Sequence, residues 1–295
     1  MELSFVKMHG LGNDFIIVDM ASPPMIAAIT AHAGWLADRR RGIGCDQILI
    51  TTEDTTSDNT ADAQLIILNS DGSMAEACGN GTRCVAALMM RRLGKDRITL
   101  HSDGGKLEAW QSADGLIAVN MGQPRFDWTD IPLAEPADTS QLNIGLNIGQ
   151  NIDMELPLAM AVNIGNPHCI FAVADADAIP LADIGGGLET HAMFPHKANI
   201  EFISLIGENR IRMRVWERGA GITSACGSGA TASAIAAHRL GLTDKSVTVV
   251  LDGGELMINW TDDGAIMIGA VSDVFHGQVT LPDFDKDYPG EASHD

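Results

Sequence analysis

Positive charge is scarce in this chain. Nineteen Lys and Arg stand against 39 Asp and Glu, a formal net charge of −20. So acidic a protein has too little basic surface to neutralise a phosphate backbone, so nucleic acid is excluded as an electrostatic partner. Long apolar runs are missing as well. No stretch of ~18 apolar residues is present to cross a bilayer, and the opening Met1-Glu2-Leu3-Ser4-Phe5-Val6-Lys7 lacks the apolar centre of a signal peptide. No membrane partner is expected, and the cytoplasm is the expected compartment. Aromatic residues make up only 5%, with one tyrosine, Tyr288, so aliphatic side chains must fill the interior. Closely paired cysteines are absent too. Cys45, Cys78, Cys84, Cys169 and Cys226 are odd in number and dispersed, with no C-x-x-C. That pattern argues against a secreted disulfide framework and against a zinc site, so no metal is expected.

The remaining composition is ordinary: 45% hydrophobic and 20% charged over 295 residues. It suits one large domain or two of ~150 residues. The chain then repeats itself. Ala77-Cys78-Gly79-Asn80-Gly81 matches Ala225-Cys226-Gly227-Ser228-Gly229, with the cysteines 148 residues apart (226 − 78 = 148). Each motif runs into an Ala-rich segment ending in the same tripeptide, Arg92-Leu93-Gly94 and Arg239-Leu240-Gly241, where Gly marks a helix stop. Strand-like runs follow, then Asp103-Gly104-Gly105 and Asp252-Gly253-Gly254, then the hairpin turns Asp114-Gly115 and Asp263-Gly264. Upstream, Gly12-Asn13-Asp14 echoes Gly165-Asn166-Pro167. So long a repeat, present only twice, indicates a duplicated domain. A linker is expected over 126–160, with a surface loop over Leu133 to Asn151. Gly185-Gly186-Gly187 reads as a flexible turn.

A strand leads through a Gly/Ser-containing loop into each motif cysteine, and a helix is expected to begin there. The first N–H groups of a helix are unpaired and carry about half an elementary charge. Such a site can stabilise a thiolate, while burial works in the opposite direction. Gly79, Gly81, Gly227 and Gly229 leave backbone N–H groups open to a carboxylate. Two halves related by an approximate twofold axis would bring both cysteines to one interdomain cleft, on opposite faces of a substrate α-carbon. One thiolate removes the α-proton while the other thiol supplies a new one. No cofactor is required, because helix dipoles and N–H groups can carry the developing charge.

At these residues the sequence resembles the diaminopimelate epimerases, amino-acid epimerases that act without pyridoxal phosphate. The resemblance rests on Lys7 to Phe15, Gly42 to Gln47, Asn69 to Arg83, Gly165 to Cys169 and Glu217 to Gly229. It implies an α+β fold of two pseudo-symmetric domains, each a mostly antiparallel sheet wrapped around a central helix, with the site between them. The expected boundaries are 1–126 plus a returning strand at about 271–283, then 127–270, then an acidic tail over 284–295. The implied reaction converts L,L-2,6-diaminopimelate to the meso form, with Cys78 and Cys226 as the catalytic pair. Implied substrate contacts are Asn13, Gln47, Asn69, Gly79, Asn80, Asn166, Asn199, Glu217, Arg218, Gly227 and Ser228. His168 and Glu217 are implied to tune the thiols. A homodimer is implied as well, although Phe275 stands where the family often carries a tyrosine that supports it.

Other readings remain open on the sequence alone. A proline racemase or hydroxyproline epimerase would share the fold and the paired cysteines. A hydrolase using Cys78 with His168 would need only one of them, and an amino-acid binding protein would need neither. Cys78 and Cys226 could instead be a disulfide. Cys45, Cys84 and Cys169 read as core fillers.

Overall fold

Two small-residue segments become central helices, and strands wrap around both. The computed structural model describes residues 1–55, 60–75, 77–145 and 155–283. The first half runs β1 (Glu2–Gly10), β2 (Asn13–Val18), α1 (Pro23–Ala31), α2 (Ala33–Ala37), β3 (Gln47–Thr52), β4 (Ala63–Asn69), α3 (Gly79–Leu93), β5 (Arg97–Ser102), β6 (Gly105–Gln111) and β7 (Ile117–Asn120). The second runs β8 (Ala159–Asn163), β9 (Pro167–Ala172), α4 (Leu181–Glu189), β10 (Asn199–Gly207), β11 (Arg210–Glu217), β12 (Gly221–Ile222), α5 (Gly227–Arg239), β13 (Ser246–Leu251), β14 (Gly254–Thr261) and β15 (Gly264–Gly269). A last strand, β16 (Ser272–Thr280), returns to lie antiparallel on β1.

The two halves pair their strands in the same way. In each, an antiparallel pair (β1–β2, β8–β9) meets a parallel neighbour (β2–β3, β9–β10), and the remaining strands continue in matching order. The halves join where β7 runs antiparallel to β15, with Ile117 opposite Gly269 and Asn120 opposite Ile266. At the hairpin offset of 149 residues (263 − 114), Ile117 corresponds to Ile266 and Asn120 to Gly269. Each contact is therefore matched by its own twofold image, as in an isologous interface. The pseudo-twofold axis passes through this seam.

Small and apolar residues fill most of α3 and α5 because sheet surrounds both helices. From Gly79 to Met90 all but Leu88 is buried, and α5 buries Ala230, Ala232, Ala234, Ala236 and Ala237. A helix buried on all sides needs small or apolar residues on every face. Gly94 ends α3 in the left-handed region at φ 63°, where a Cβ would be strained. Outer layers cover the far faces of the sheets: α1 and α2 over one half, α4 over the other.

One sequence expectation is corrected here and another is refined. Gly185-Gly186-Gly187 is not a turn but part of α4, and Gly185 is glycine because a Cβ there would sit 2.4 Å from the Trp216 ring. The segment after Leu133 is irregular and largely exposed as far as Gly145, as a surface loop should be, but apolar residues anchor it. Leu133, Leu142 and Ile144 are buried against β8 and α4, and Leu142 bridges to Ala159. Residues 146–151 of the expected loop and the 284–295 tail lie outside the described residues.

Phe171 stacks on Phe202 at 5.0 Å in the outer layer of the second half, and both are fully buried. Phe171→Ala is expected to cost about 3–5 kcal/mol in urea unfolding. Loss below 1 kcal/mol would mean that this layer does not hold the second half together.

Candidate active site

Both motif cysteines are helix N-caps. Cys78 Sγ accepts from the Gly81 N–H at 3.3 Å, and Cys226 Sγ accepts from the Gly229 N–H at 3.4 Å. Sulfur thus takes the position that a Ser, Thr, Asn or Asp oxygen usually fills. Both backbones are extended at the cap, which turns each strand-to-helix connection towards the seam. The two helix starts meet there around Met267. A Cβ at Gly79 would lie 2.9 Å from Met267 Cε, and one at Gly227 would lie 2.9 Å from Met267 Sδ. Only glycine lets both ends come this close. Asn80 ties them together: Nδ2 donates to Ala225 O at 3.0 Å and to Asn13 Oδ1 at 3.4 Å.

A cavity of about 870 Å³ opens at this junction. Asn13, Gln47, Asn69, Cys78, Gly79, Asn80, Asn166, Glu217, Arg218, Cys226, Gly227 and Ser228 all line it. Strand register explains the convergence. Phe15 pairs with Gln47 and Gln47 with Asn69; His168 pairs with Asn199, and β10 and β11 then bring Glu217 to the matching end. Asn13, Gln47, Asn69 and Cys78 thus occupy the twofold counterparts of Asn166, Asn199, Glu217 and Cys226.

Two expected residues stand outside the cavity lining. Asn199 is buried, with Nδ2 donating to Pro167 O at 3.0 Å and Oδ1 accepting from the Arg218 N–H at 2.9 Å. Its amide thereby fixes the backbone beside the cavity residues Asn166 and Arg218. His168 is fully buried between Glu201 (Nδ1 to Oε1, 2.6 Å) and Asn166 (Nε2 to Oδ1, 2.8 Å). It reaches the cavity only through Asn166.

Sequence reasoning passed over three groups. Glu201 lies beneath the start of α5, where a Cβ at Gly229 would be 2.7 Å from Oε1. Burial raises its carboxyl, and His168 opposes that rise. β10 is buried on both faces from Asn199 to Ser204, so no alternation marks Glu201 as an inward acid, and nothing in the sequence links it to Cys226. Arg39 at the cavity edge forks onto Asp14 at 2.8 and 2.7 Å and contacts Asp46 at 2.7 Å. Burial alone would raise Asp14, but hydrogen bonds from Arg39 and Lys7 outweigh it and hold the carboxyl well below its usual range. Asn13 leans on the same network through Asp46 at 2.8 Å. The third group is Arg83.

Burial dominates the electrostatics of the thiols. It pushes Cys78 up to about 12 against the pull of the Gly81 N–H and Arg83, with Glu217 adding to the rise. Cys226 is raised well above the ordinary range by burial and then by Glu217 and Glu201, with Ser228 and Gly229 opposing. Burial also raises Glu217, while the Thr223 hydroxyl and the Cys226 thiol work against that rise. All five cysteines are free, so the disulfide alternative is not formed. Cys84 and Cys169 lie in the core, and Cys45 is buried at the cavity wall. Burial holds Cys45 and Cys84 near 12.

The fold belongs to a class seen in solved racemase-type proteins. A probable proline racemase from Agrobacterium radiobacter superposes with TM-score 0.68 at 15% identity, covering 96% of this chain and 94% of that one. A phenazine biosynthesis protein of the PhzF family from Enterococcus faecalis gives 0.68 at 12%, covering 95% and 100%. At such identities the likeness shows the fold alone. Sequence goes further: residues 5–127 and 160–274 match the diaminopimelate epimerase family. Diaminopimelate epimerase from Acidiphilium cryptum is 45% identical over 276 residues, 93% of this chain and 95% of the relative. That from Erythrobacter litoralis is 46% identical over 288 residues, 96% and 100%. The chain belongs to the diaminopimelate epimerase family.

Gly227→Ala tests the close approach, since its Cβ would also lie 3.3 Å from Asn80 Oδ1. The variant is expected to keep its melting temperature within a few degrees and to lose epimerase turnover by tenfold or more, on the order of the penalty for small misplacements. Unchanged turnover would show that the two helix ends tolerate separation.

Proposed function

We propose that the chain epimerises L,L-2,6-diaminopimelate to the meso form, in lysine and peptidoglycan precursor biosynthesis, with Cys78 and Cys226 as its two acid–base groups. The observation that carries this reading is the pair of cysteine-capped helices opening on one cavity. The reacting α-carboxylate lies between the helix ends, against the N–H groups around Gly79-Asn80 and Gly227-Ser228. One thiolate takes the α-proton. The C–H electron pair stays on the α-carbon, spread into the carboxylate, until the opposite thiol delivers its proton to the other face. Each turnover therefore moves the thiolate from one cysteine to the other.

Burial works against the thiolate at both cysteines, so positive charge must stand near the one that ionises. The substrate α-ammonium brings one such charge. At the far end Arg218 pairs with the distal carboxylate, while Glu217 and the amide oxygens of Asn13, Asn69 and Asn166 accept from its ammonium. A proline-type substrate has no second charged end to use these groups. The family match and relatives at 42–46% identity also favour the longer substrate.

We place the protein in the cytoplasm, where five free thiols stay reduced. We assign the homodimer to β16, which ends the described sheet and exposes Val274 and Phe275. Phe275 meets Phe5 edge-on at 5.8 Å without the hydroxyl a tyrosine would add. An uncovered apolar edge strand is a ready surface for a second copy. Light scattering of Phe275→Glu should show one chain where the parent shows two; equal masses would remove the dimer from this edge.

The deciding experiment is proton NMR of L,L-diaminopimelate in heavy water. The parent protein should exchange the α-proton and form the meso product. Cys78→Ala and Cys226→Ala should each lose turnover by about a hundredfold or more. Exchange of proline instead would overturn the substrate, and full activity with either thiol missing would overturn the mechanism.

A further inference from the structure

Arg83 is the most conspicuous buried charge whose role the reading above leaves unexplained. It is fully buried one turn into α3 from Cys78, yet Nε and Nη2 have no hydrogen-bond partner among the described residues. Nη1 contacts only the Met267 sulfur, at 3.2 Å, a weak acceptor. The surrounding backbone is cut away to hold it. A Cβ at Gly10 would lie 3.1 Å from Nη2, and one at Gly269 would lie 3.3 Å from Nε. An uncompensated cation in such a place costs several kcal/mol, and an apolar side chain of similar size would avoid that cost. The titratable groups that face it are Cys78 and Cys84, both on α3; Asp273 of β16 faces Cys84, and Glu217 of β11 faces Cys78. Among the described residues no carboxylate neutralises it directly. Burial lowers Arg83 to about 10, so it stays charged at neutral pH.

The other half has no such cation. The twofold counterpart of Arg83 is Thr231, whose hydroxyl donates to Gly227 O at 2.8 Å. Beneath α3 lie Phe15 and Leu49; their counterparts beneath α5 are His168 and Glu201. The same frame is thus positive behind one thiol and carboxylate-bearing behind the other.

Resting on the two-thiol reading above, we propose that Arg83 is a positioning residue: an unpaired buried cation that makes Cys78, and not Cys226, the first thiol of the pair to ionise. Arg83 touches no substrate. It acts through α3 by favouring the anion at the helix cap, and the missing counter-ion is the Cys78 thiolate itself.

The test is alkylation of each thiol by iodoacetamide against pH, quantified site by site by mass spectrometry, on the whole protein without substrate. Arg83→Met should move the Cys78 profile up by about one pH unit, a roughly tenfold slower reaction at fixed pH below its pKa. The Cys226 profile should stay in place, and Arg83→Lys should restore most of the Cys78 rate. Removing a buried unpaired charge should leave the melting temperature equal or higher. An unmoved Cys78 profile, or equal slowing of both thiols, overturns the proposal. If Arg83→Met does not fold, the neutral polar variant Arg83→Gln takes its place; if neither folds while Arg83→Lys does, Arg83 is a structural cation and the proposal falls. Alkylation needs no turnover, so this result separates from the heavy-water experiment. Arg83 can fail while the two-thiol mechanism stands, and the reverse.

Discussion

Two helix N-termini brought together is an unfavourable arrangement, because each presents unpaired N–H groups and a partial positive charge. Around this constraint the rest of the structure is arranged. The β7–β15 seam forces α3 and α5 towards one another, and Gly79 and Gly227 reduce the bulk between them until both touch Met267. Cysteine sulfur caps part of the exposed N–H array. What is left unsatisfied is an affinity for an anion at the point where two thiols can address it. A site that binds a carboxylate and stabilises charge growing beside it follows from that geometry.

Symmetry explains where the groups are, and its violation explains what each can do. An inverting reaction needs a base on one face and an acid on the other, and two identical sites would give neither a preference. Here most cavity-facing positions keep similar polarity, with Asn69 against Glu217 and Ser70 against Arg218 as the departures. The layer behind them diverges further: Phe15, Leu49 and Arg83 under one helix, His168, Glu201 and Thr231 under the other. That layer is fully buried, so a single charge there acts through a low dielectric on the nearest thiol. Inequality between the cysteines is built one residue away from the substrate, where it does not alter the shape of the cavity.

Much of this was legible in the chain itself. The doubled Cys-Gly-x-Gly motif, the matched helix stops and the Asp-Gly turns announced two like halves, since each depends on local chemistry that travels with the sequence. Three features were not legible. Gly185 looked like a turn because its reason for being glycine, the Trp216 ring, comes from another strand. Leu133, Leu142 and Ile144 looked like surface because they lie among Pro, Asp and Asn, yet they cover the outer face of β8 and β9. Asn199 carries the chemistry of a substrate contact, and only the fold shows that its amide also holds the Arg218 backbone.

By itself the sequence determined that there would be two helices, each begun by a cysteine and opened by glycines, in an acidic chain with no electrostatic claim on nucleic acid. Only the tertiary structure decided that those cysteines share a cavity, which neighbours face it, and that a lone arginine stands behind one of them. The reason lies in range. Caps, turns and propensity are set within a few residues, whereas the meeting of Gly79 with Gly227 and the burial of Arg83 depend on the register of strands far apart in the chain. A shift of one residue in that register would turn the strand residues that face these helix ends, such as Gln47, Asn69 and Glu217, to the other face of the sheet.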